Sequence, residues 1–195
     1  MKNHINSQLK VITDALDNLD GDTDMLVSEC MKVIKTDGKI IASGLGKNVP
    51  ICEKFIGTLN SVGIDSNFLH TNSAIHGDLG IVKKGDIVII LSKSGDTDET
   101  LHLAKLLQRR KIKTWAITCA RKCKIDIIIR NKICIPIDHE GDLWNLIPNN
   151  STLVFLLFLQ ALAMKLIQQL QIPLSVFKDN HPGGAIGKKL ARRKL

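Results

Sequence analysis

The 195-residue chain has no tyrosine, and aromatic residues make up only 4% of it. Base-stacking surfaces are built from such rings, and neither an RNP-type aromatic motif nor zinc-finger spacing occurs, so nucleic acid is not the expected partner. Cysteine is scarce and unpaired in pattern: Cys30, Cys52, Cys119, Cys123 and Cys134 are odd in number and irregularly spaced. Cys119-x-x-x-Cys123 has no second pair and no histidine at zinc-finger distance. This argues against a metal site and for reduced thiols in a cytoplasmic protein. Residues 1–10 lack an apolar signal core, and the longest uncharged apolar stretch, residues 153–164, is shorter than the roughly 20 residues a membrane span needs. No membrane partner is expected.

What is present is basic charge and a regular alternation of segments. Lysine and arginine outnumber aspartate and glutamate 27 to 19, a formal net charge of +8. The excess is partly local, at Arg109, Arg110, Lys111 and Lys113 and at Lys188, Lys189, Arg192, Arg193 and Lys194. Such a balance suits an anionic partner such as a phosphorylated metabolite. Apolar content of 44% supports one well-buried domain over residues 1–195. Helical spacing over residues 3–18 and again from Thr23 to Ile34 predicts two N-terminal helices. Apolar runs at 39–43, 67–70, 86–92, 114–118 and 133–137 predict five strands, with helices between them and a short helix at 125–129. A long apolar helix is predicted from Ser151 to about Leu170, capped by Asn150 or Ser151. Strands alternating with helices predict an α/β fold: a three-layer α/β/α, flavodoxin-like five-stranded parallel sheet in the order 2-1-3-4-5. Ligands of such sheets bind at the C-terminal strand edge, beside the loops after strands one and three.

Those two loops carry the clearest chemistry. Ile87-Val88-Ile89-Ile90 runs into Ser92-Lys-Ser-Gly-Asp-Thr97 and then into an amphipathic helix. Backbone N–H groups of the turn, the positive helix end and the hydroxyls converge on one place, as a phosphate site requires. Asp96-x-x-Glu99 also has the spacing of a capping pair. Ser43-Gly-Leu-Gly-Lys47 opens a second glycine turn with a lysine placed to meet an anion. A P-loop needs glycine at Ile41 and Ser or Thr at Asn48, and a dinucleotide fingerprint needs glycine at Val49, so a nucleotide is disfavoured. His76-Gly-Asp-Leu-Gly80 packs a histidine into a tight turn, and Glu140 follows the fifth strand. In His181-Pro-Gly-Gly-Ala-Ile-Gly187, proline and three glycines set an unusual backbone path around a histidine, the side chain best suited to proton transfer near neutral pH.

Together with Pro148-Asn-Asn-Ser-Thr152, these motifs resemble the sugar isomerase (SIS) domain and, within it, D-arabinose 5-phosphate isomerases. The resemblance runs from about Lys39 to Leu190. It implies a homotetramer that binds a small sugar phosphate, uses no cofactor and interconverts D-ribulose 5-phosphate and D-arabinose 5-phosphate through an enediol, toward octulosonate for lipopolysaccharide or capsule. It places catalytic roles on Lys47, Glu99, Glu140 and His181, and substrate binding on Ser43, Gly44, His76, Ser92, Ser94 and Thr97. The chain departs from the family pattern at Asn48, Lys93, Asp96-Thr97 and Asn149-Asn150, and the CBS-type pair that often follows is not expected. Two other functions fit the same fold: isomerisation of a hexulose or sedoheptulose phosphate, and non-catalytic phosphosugar sensing.

Overall fold

Five parallel strands form one sheet in the order β2-β1-β3-β4-β5 in the computed structural model, which describes residues 1–192. Arg193 and Lys194 of the basic C-terminal run lie outside the described residues. The strands are β1 (Ile40–Gly44), β2 (Ser66–His70), β3 (Ile87–Leu91), β4 (Lys113–Thr118) and β5 (Asn131–Cys134). The helices are α1 (Lys2–Asp17), α2 (Thr23–Lys35), α3 (Val49–Ser61), α4 (Thr71–Ala74), α5 (Asp98–Arg109), α6 (Asn150–Leu170), α7 (Leu174–Asp179) and α8 (Gly184–Ala191). Every residue of β1 and β3 is buried, because helices cover both faces of the sheet; β3 is a continuous apolar run for that reason, and β1 is apolar up to Ser43. The strand order and the parallel sense match the expectation from the sequence.

Two differences from that expectation have physical causes. The fifth strand ends at Cys134 rather than Ile137, because Pro136 has no N–H to give to a ladder. Its tip is held from outside the sheet by an antiparallel bridge in which Asp20 and Cys134 exchange N–H···O bonds of 2.9 and 2.7 Å. The segment expected as a short helix at 125–129 is a single 3-10 turn over Lys124–Ile127.

The larger core lies on the face covered by α1, α2, α3 and α6, around Phe55, Trp115 and Phe155; the smaller lies under α5 and α4, around Leu103 and Leu107. Trp115 is 1% exposed, and its indole N–H donates to Glu29 at 2.7 Å, so a buried polar group is satisfied. α6 has 21 residues and a mean hydropathy of 1.8, enough to cross a membrane by length and composition alone. Here one of its faces is core: Val154, Phe155, Leu159, Ala163 and Leu166 pack toward α3, α1 and α2. Phe155 has no exposed surface. Phe155→Ala is expected to cost about 3–5 kcal/mol, measured as a shift of the urea midpoint at unchanged slope.

Candidate active site

Parallel pairing places the ends of β1 and β3 side by side, with Ser43 opposite Ile90. The loops that follow them therefore emerge together at the C-terminal edge of the sheet. Asn48 joins them, its side-chain amide donating to the Leu91 carbonyl at 3.4 Å. Lys47 stands in the 3-10 turn Gly46–Asn48 with its side chain exposed. Gly44 cannot carry a side chain, since a Cβ there would come within 2.9 Å of Asn48 Cβ and 3.1 Å of Cys52 Sγ. Ser43 is fully buried, and its hydroxyl pairs with that of Thr71 at 3.1 Å.

The serine loop is fixed by its own hydroxyls and by the segment after β4. Ser92 Oγ accepts from the Gly95 N–H at 3.1 Å, and Ser94 Oγ accepts from the Asp96 N–H at 3.2 Å. Gly95 takes φ +68°, and a Cβ there would stand 2.5 Å from Cys123 Sγ. The Lys93 and Gly95 carbonyls accept from the Cys119 and Ile125 N–H groups at 2.9 and 3.1 Å. Asp96 and Glu99 do not form a capping pair. Asp96 Oδ1 instead accepts from the Lys124 N–H at 2.7 Å, and Thr97 occupies the N-cap of α5 without a side-chain cap bond. The first turn of a 12-residue helix thus begins in open hydroxyl-rich surroundings, with Glu99 exposed in that turn.

Glu140 is the organising group, and it has no exposed surface. Its Oε1 accepts from Ser151 Oγ at 2.6 Å and pairs with Lys93 Nζ at 2.7 Å, while Oε2 accepts the Asn149 and Ser151 N–H groups, both at 2.9 Å. The expected side-chain cap of α6, Asn150 or Ser151, is replaced by this carboxylate from another segment, with Asn149 as the N-cap residue. Burial alone would raise the Glu140 carboxyl. The Lys93 ammonium, the Ser151 hydroxyl and N–H and the Asn149 N–H outweigh it and hold the carboxyl below its ordinary value of 4.5. Burial, and then the nearby Glu140 charge, push the Cys119 thiol up to about 12.

The structure brings Ser43, Gly44, Lys47, Ser92, Ser94, Thr97, Glu99 and Glu140 to one edge of the sheet. His76 is exposed in the crossover that leaves that edge after β2, just before Gly77 at φ +119°. His181 is at the other end. It stacks on Phe177 with ring centroids 3.9 Å apart, and its Nδ1 lies 2.7 Å from the Phe177 carbonyl oxygen. Its neighbour Asn180 donates to the Ser61 carbonyl at 3.4 Å, beyond the far end of α3. The 21 residues of α6 separate the two ends by roughly 30 Å at 1.5 Å per residue. Sequence reasoning missed the partners of the site: Thr71 for Ser43, and both Lys93 and Ser151 for Glu140. A lysine inside a hydroxyl loop was the available signal, since a buried acid needs such a partner.

The sign of the Glu140 effect on stability follows from its lowered pKa. The carboxylate stabilises the fold above pH 4.5, and that contribution is lost as pH falls through the lower folded value. Glu140→Gln is therefore expected to lose roughly 1–3 kcal/mol at neutral pH and to show a smaller further loss on acidification. Urea unfolding of both proteins between pH 7 and pH 3 measures it; parallel pH curves would refute it.

Three comparisons with known proteins bear on this geometry. The SIS domain model matches residues 33–165, which contain every group at the sheet edge just described. The arabinose 5-phosphate isomerase of Salmonella typhi is 34% identical over 164 residues, 84% of this chain and 50% of that protein. The chain thus spans about half the length of the curated relatives it matches. An Escherichia coli CFT073 protein solved in complex with arabinose 5-phosphate is 30% identical, with a TM-score of 0.82 over 93% of this chain and 95% of that one. A Bacteroides fragilis structure is 26% identical, with a TM-score of 0.85 over 94% and 98%. By its matched motifs, its strand order and these likenesses, the chain belongs to the SIS domain family.

Proposed function

We propose that the protein is a sugar-phosphate aldose–ketose isomerase that interconverts D-ribulose 5-phosphate and D-arabinose 5-phosphate. The observation that carries this reading is the arrangement at the sheet edge. A hydroxyl-lined turn at the uncapped start of α5 lies beside an exposed lysine turn and a buried, ionised glutamate. It is supported by the likeness to relatives named arabinose 5-phosphate isomerase and to an Escherichia coli protein that holds arabinose 5-phosphate. The Bacteroides fragilis relative is described in connection with capsule formation, which fits an octulosonate destination. A cytoplasmic homotetramer over one SIS domain is part of the proposal.

In this reading Ser92, Ser94, Thr97 and the first-turn N–H groups of α5 hold the phosphate, and Ser43 and Gly44 leave room beside it. Lys47 stabilises the charge that builds on the enediolate oxygen. The reaction removes a proton from one carbon and returns it to its neighbour, so a base that can also act as an acid is required. A carboxylate has about four acceptor positions, and all of those on Glu140 are filled by Lys93, Ser151 and Asn149. Glu140 therefore acts as a fixed charge, and proton transfer falls to His181, with Glu99 and His76 directing the sugar. Because His181 lies at the far end of its own chain, it serves the site of a neighbouring copy.

Purified protein given ribulose 5-phosphate is expected to produce arabinose 5-phosphate, with and without chelator. Turnover confined to hexulose or sedoheptulose phosphates would replace the substrate. Binding without any turnover would replace the enzyme with a sensor. His181→Ala is expected to lower kcat by at least about 100-fold, the usual worth of a positioned acid–base group, while ribulose 5-phosphate still binds by calorimetry. Mixing inactive His181→Ala with inactive Lys47→Ala subunits and allowing exchange is expected to restore measurable turnover. No recovery after proven exchange would place His181 outside the neighbour's site.

A further inference from the structure

Glu140 is a buried charge with a single charged partner among the described residues. A carboxylate with no exposed surface stays ionised only where donors and a cation together outweigh its lost hydration. The groups that face it come from every segment packed around it. The start of α6 gives the Ser151 hydroxyl and two N–H groups, all neutral. The residue after β4 gives Cys119, whose raised pKa keeps it a neutral thiol. On the segment of Glu140 itself, His139 accepts the Gly141 N–H on Nδ1 at 2.8 Å, and Asp142 is engaged by the N–H groups of Trp144, Leu146 and Ile147. Among the described residues, Lys93 is the one cation within ion-pair distance of Glu140, at 2.7 Å.

Lys93 is also a member of the serine loop, between Ser92 and Ser94, and its carbonyl is tied to the Cys119 N–H at 2.9 Å. With its backbone held there and its ammonium on Oε1, the side chain is a strut from the phosphate loop to the first turn of α6. We propose that Lys93 is a positioning residue, which through this ion pair keeps Glu140 ionised and in one orientation and so sets the spacing between the phosphate loop and α6. The catalytic consequence rests on the isomerase reading; the ion pair itself does not. Lys93 need not touch the sugar in this role.

The test follows Glu140 directly. The chain has only four glutamates, Glu29, Glu53, Glu99 and Glu140, so each side-chain carboxyl carbon can be assigned by substitution in protein labelled with 13C-glutamate. In the unaltered protein the Glu140 signal is expected to titrate below the ordinary value of 4.5. In Lys93→Met, or in Lys93→Gln if the methionine variant does not fold, the midpoint is expected to rise by about 1–3 pH units. Lys93→Arg keeps the charge and is expected to stay near the unaltered protein. KM for ribulose 5-phosphate is expected to rise in the neutral variants more than kcat falls, and to recover in Lys93→Arg, a split that a general loss of stability would not produce. A Glu140 midpoint at or above the ordinary value in the unaltered protein overturns the inference without any variant. So does an unchanged midpoint in the neutral variants, or a KM that stays put while the midpoint moves. If no sugar phosphate is turned over, the isomerase reading fails and the titration alone decides the role of Lys93.

Discussion

A single buried charge ties this fold to its chemistry. Glu140 follows β5 in the chain, caps α6 with its carboxylate and pairs with the loop after β3. Three segments distant in sequence therefore meet on two oxygen atoms. The arrangement is demanding, because a buried carboxylate that loses its partner is far more costly than an apolar residue of the same size. It also has a positional benefit. The N-terminus of α6 carries the positive end of a 21-residue helix, and placing the carboxylate there satisfies N–H groups that a helix leaves free. The same contact holds the serine loop after β3 at a set distance from α6, the longest helix among the described residues.

Much of this frame was legible in the residues. The β-branched run Ile87–Ile90 announces a strand covered on both faces, and the hydroxyls and glycine after it announce a turn that offers N–H groups. The parallel, doubly wound layer followed from alternation and crossover handedness, and the strand order is the flavodoxin-like one expected of it. The end of β5 was harder to place. Ile133 to Ile137 reads as one apolar run, and only the missing N–H of Pro136 and a bridge from Asp20 show why pairing stops at Cys134. The cap of α6 was illegible for a different reason. Local sequence offers Asn150 and Ser151, whereas the cap that forms comes from Glu140, a contact across nine to eleven positions that no periodicity encodes.

The placement of His181 was equally hidden. Its motif sits one short helix after α6, and in sequence nothing distinguishes a turn that folds back to the loops from one that stays where α6 ends. The structure resolves it through small contacts. Asn180 bonds the Ser61 carbonyl, and a Cβ on Gly63 would stand 3.0 Å from Val176. These contacts hold α7 against the end of α3, at the sheet edge opposite the serine loop. A rigid helix roughly 30 Å long cannot bend its last residues back to its first. Separation within one chain thus becomes an argument about assembly, since a second copy can supply at the loops what the first holds at its far end.

Filled acceptor positions then divide the work among the acids and bases. Glu140 is a carboxylate at the sheet edge that its environment perturbs, and perturbed groups are commonly the ones that move protons. Here the direction of the perturbation points the other way. Donors from Lys93, Ser151 and Asn149 lower its affinity for a proton and occupy the oxygens that would receive one. A base needs a free lone pair and a proton affinity near the working pH. Glu99 differs in being exposed in the first turn of α5. What the structure gives the buried glutamate is a positional role: it keeps the serine loop after β3 in register with the helix behind it.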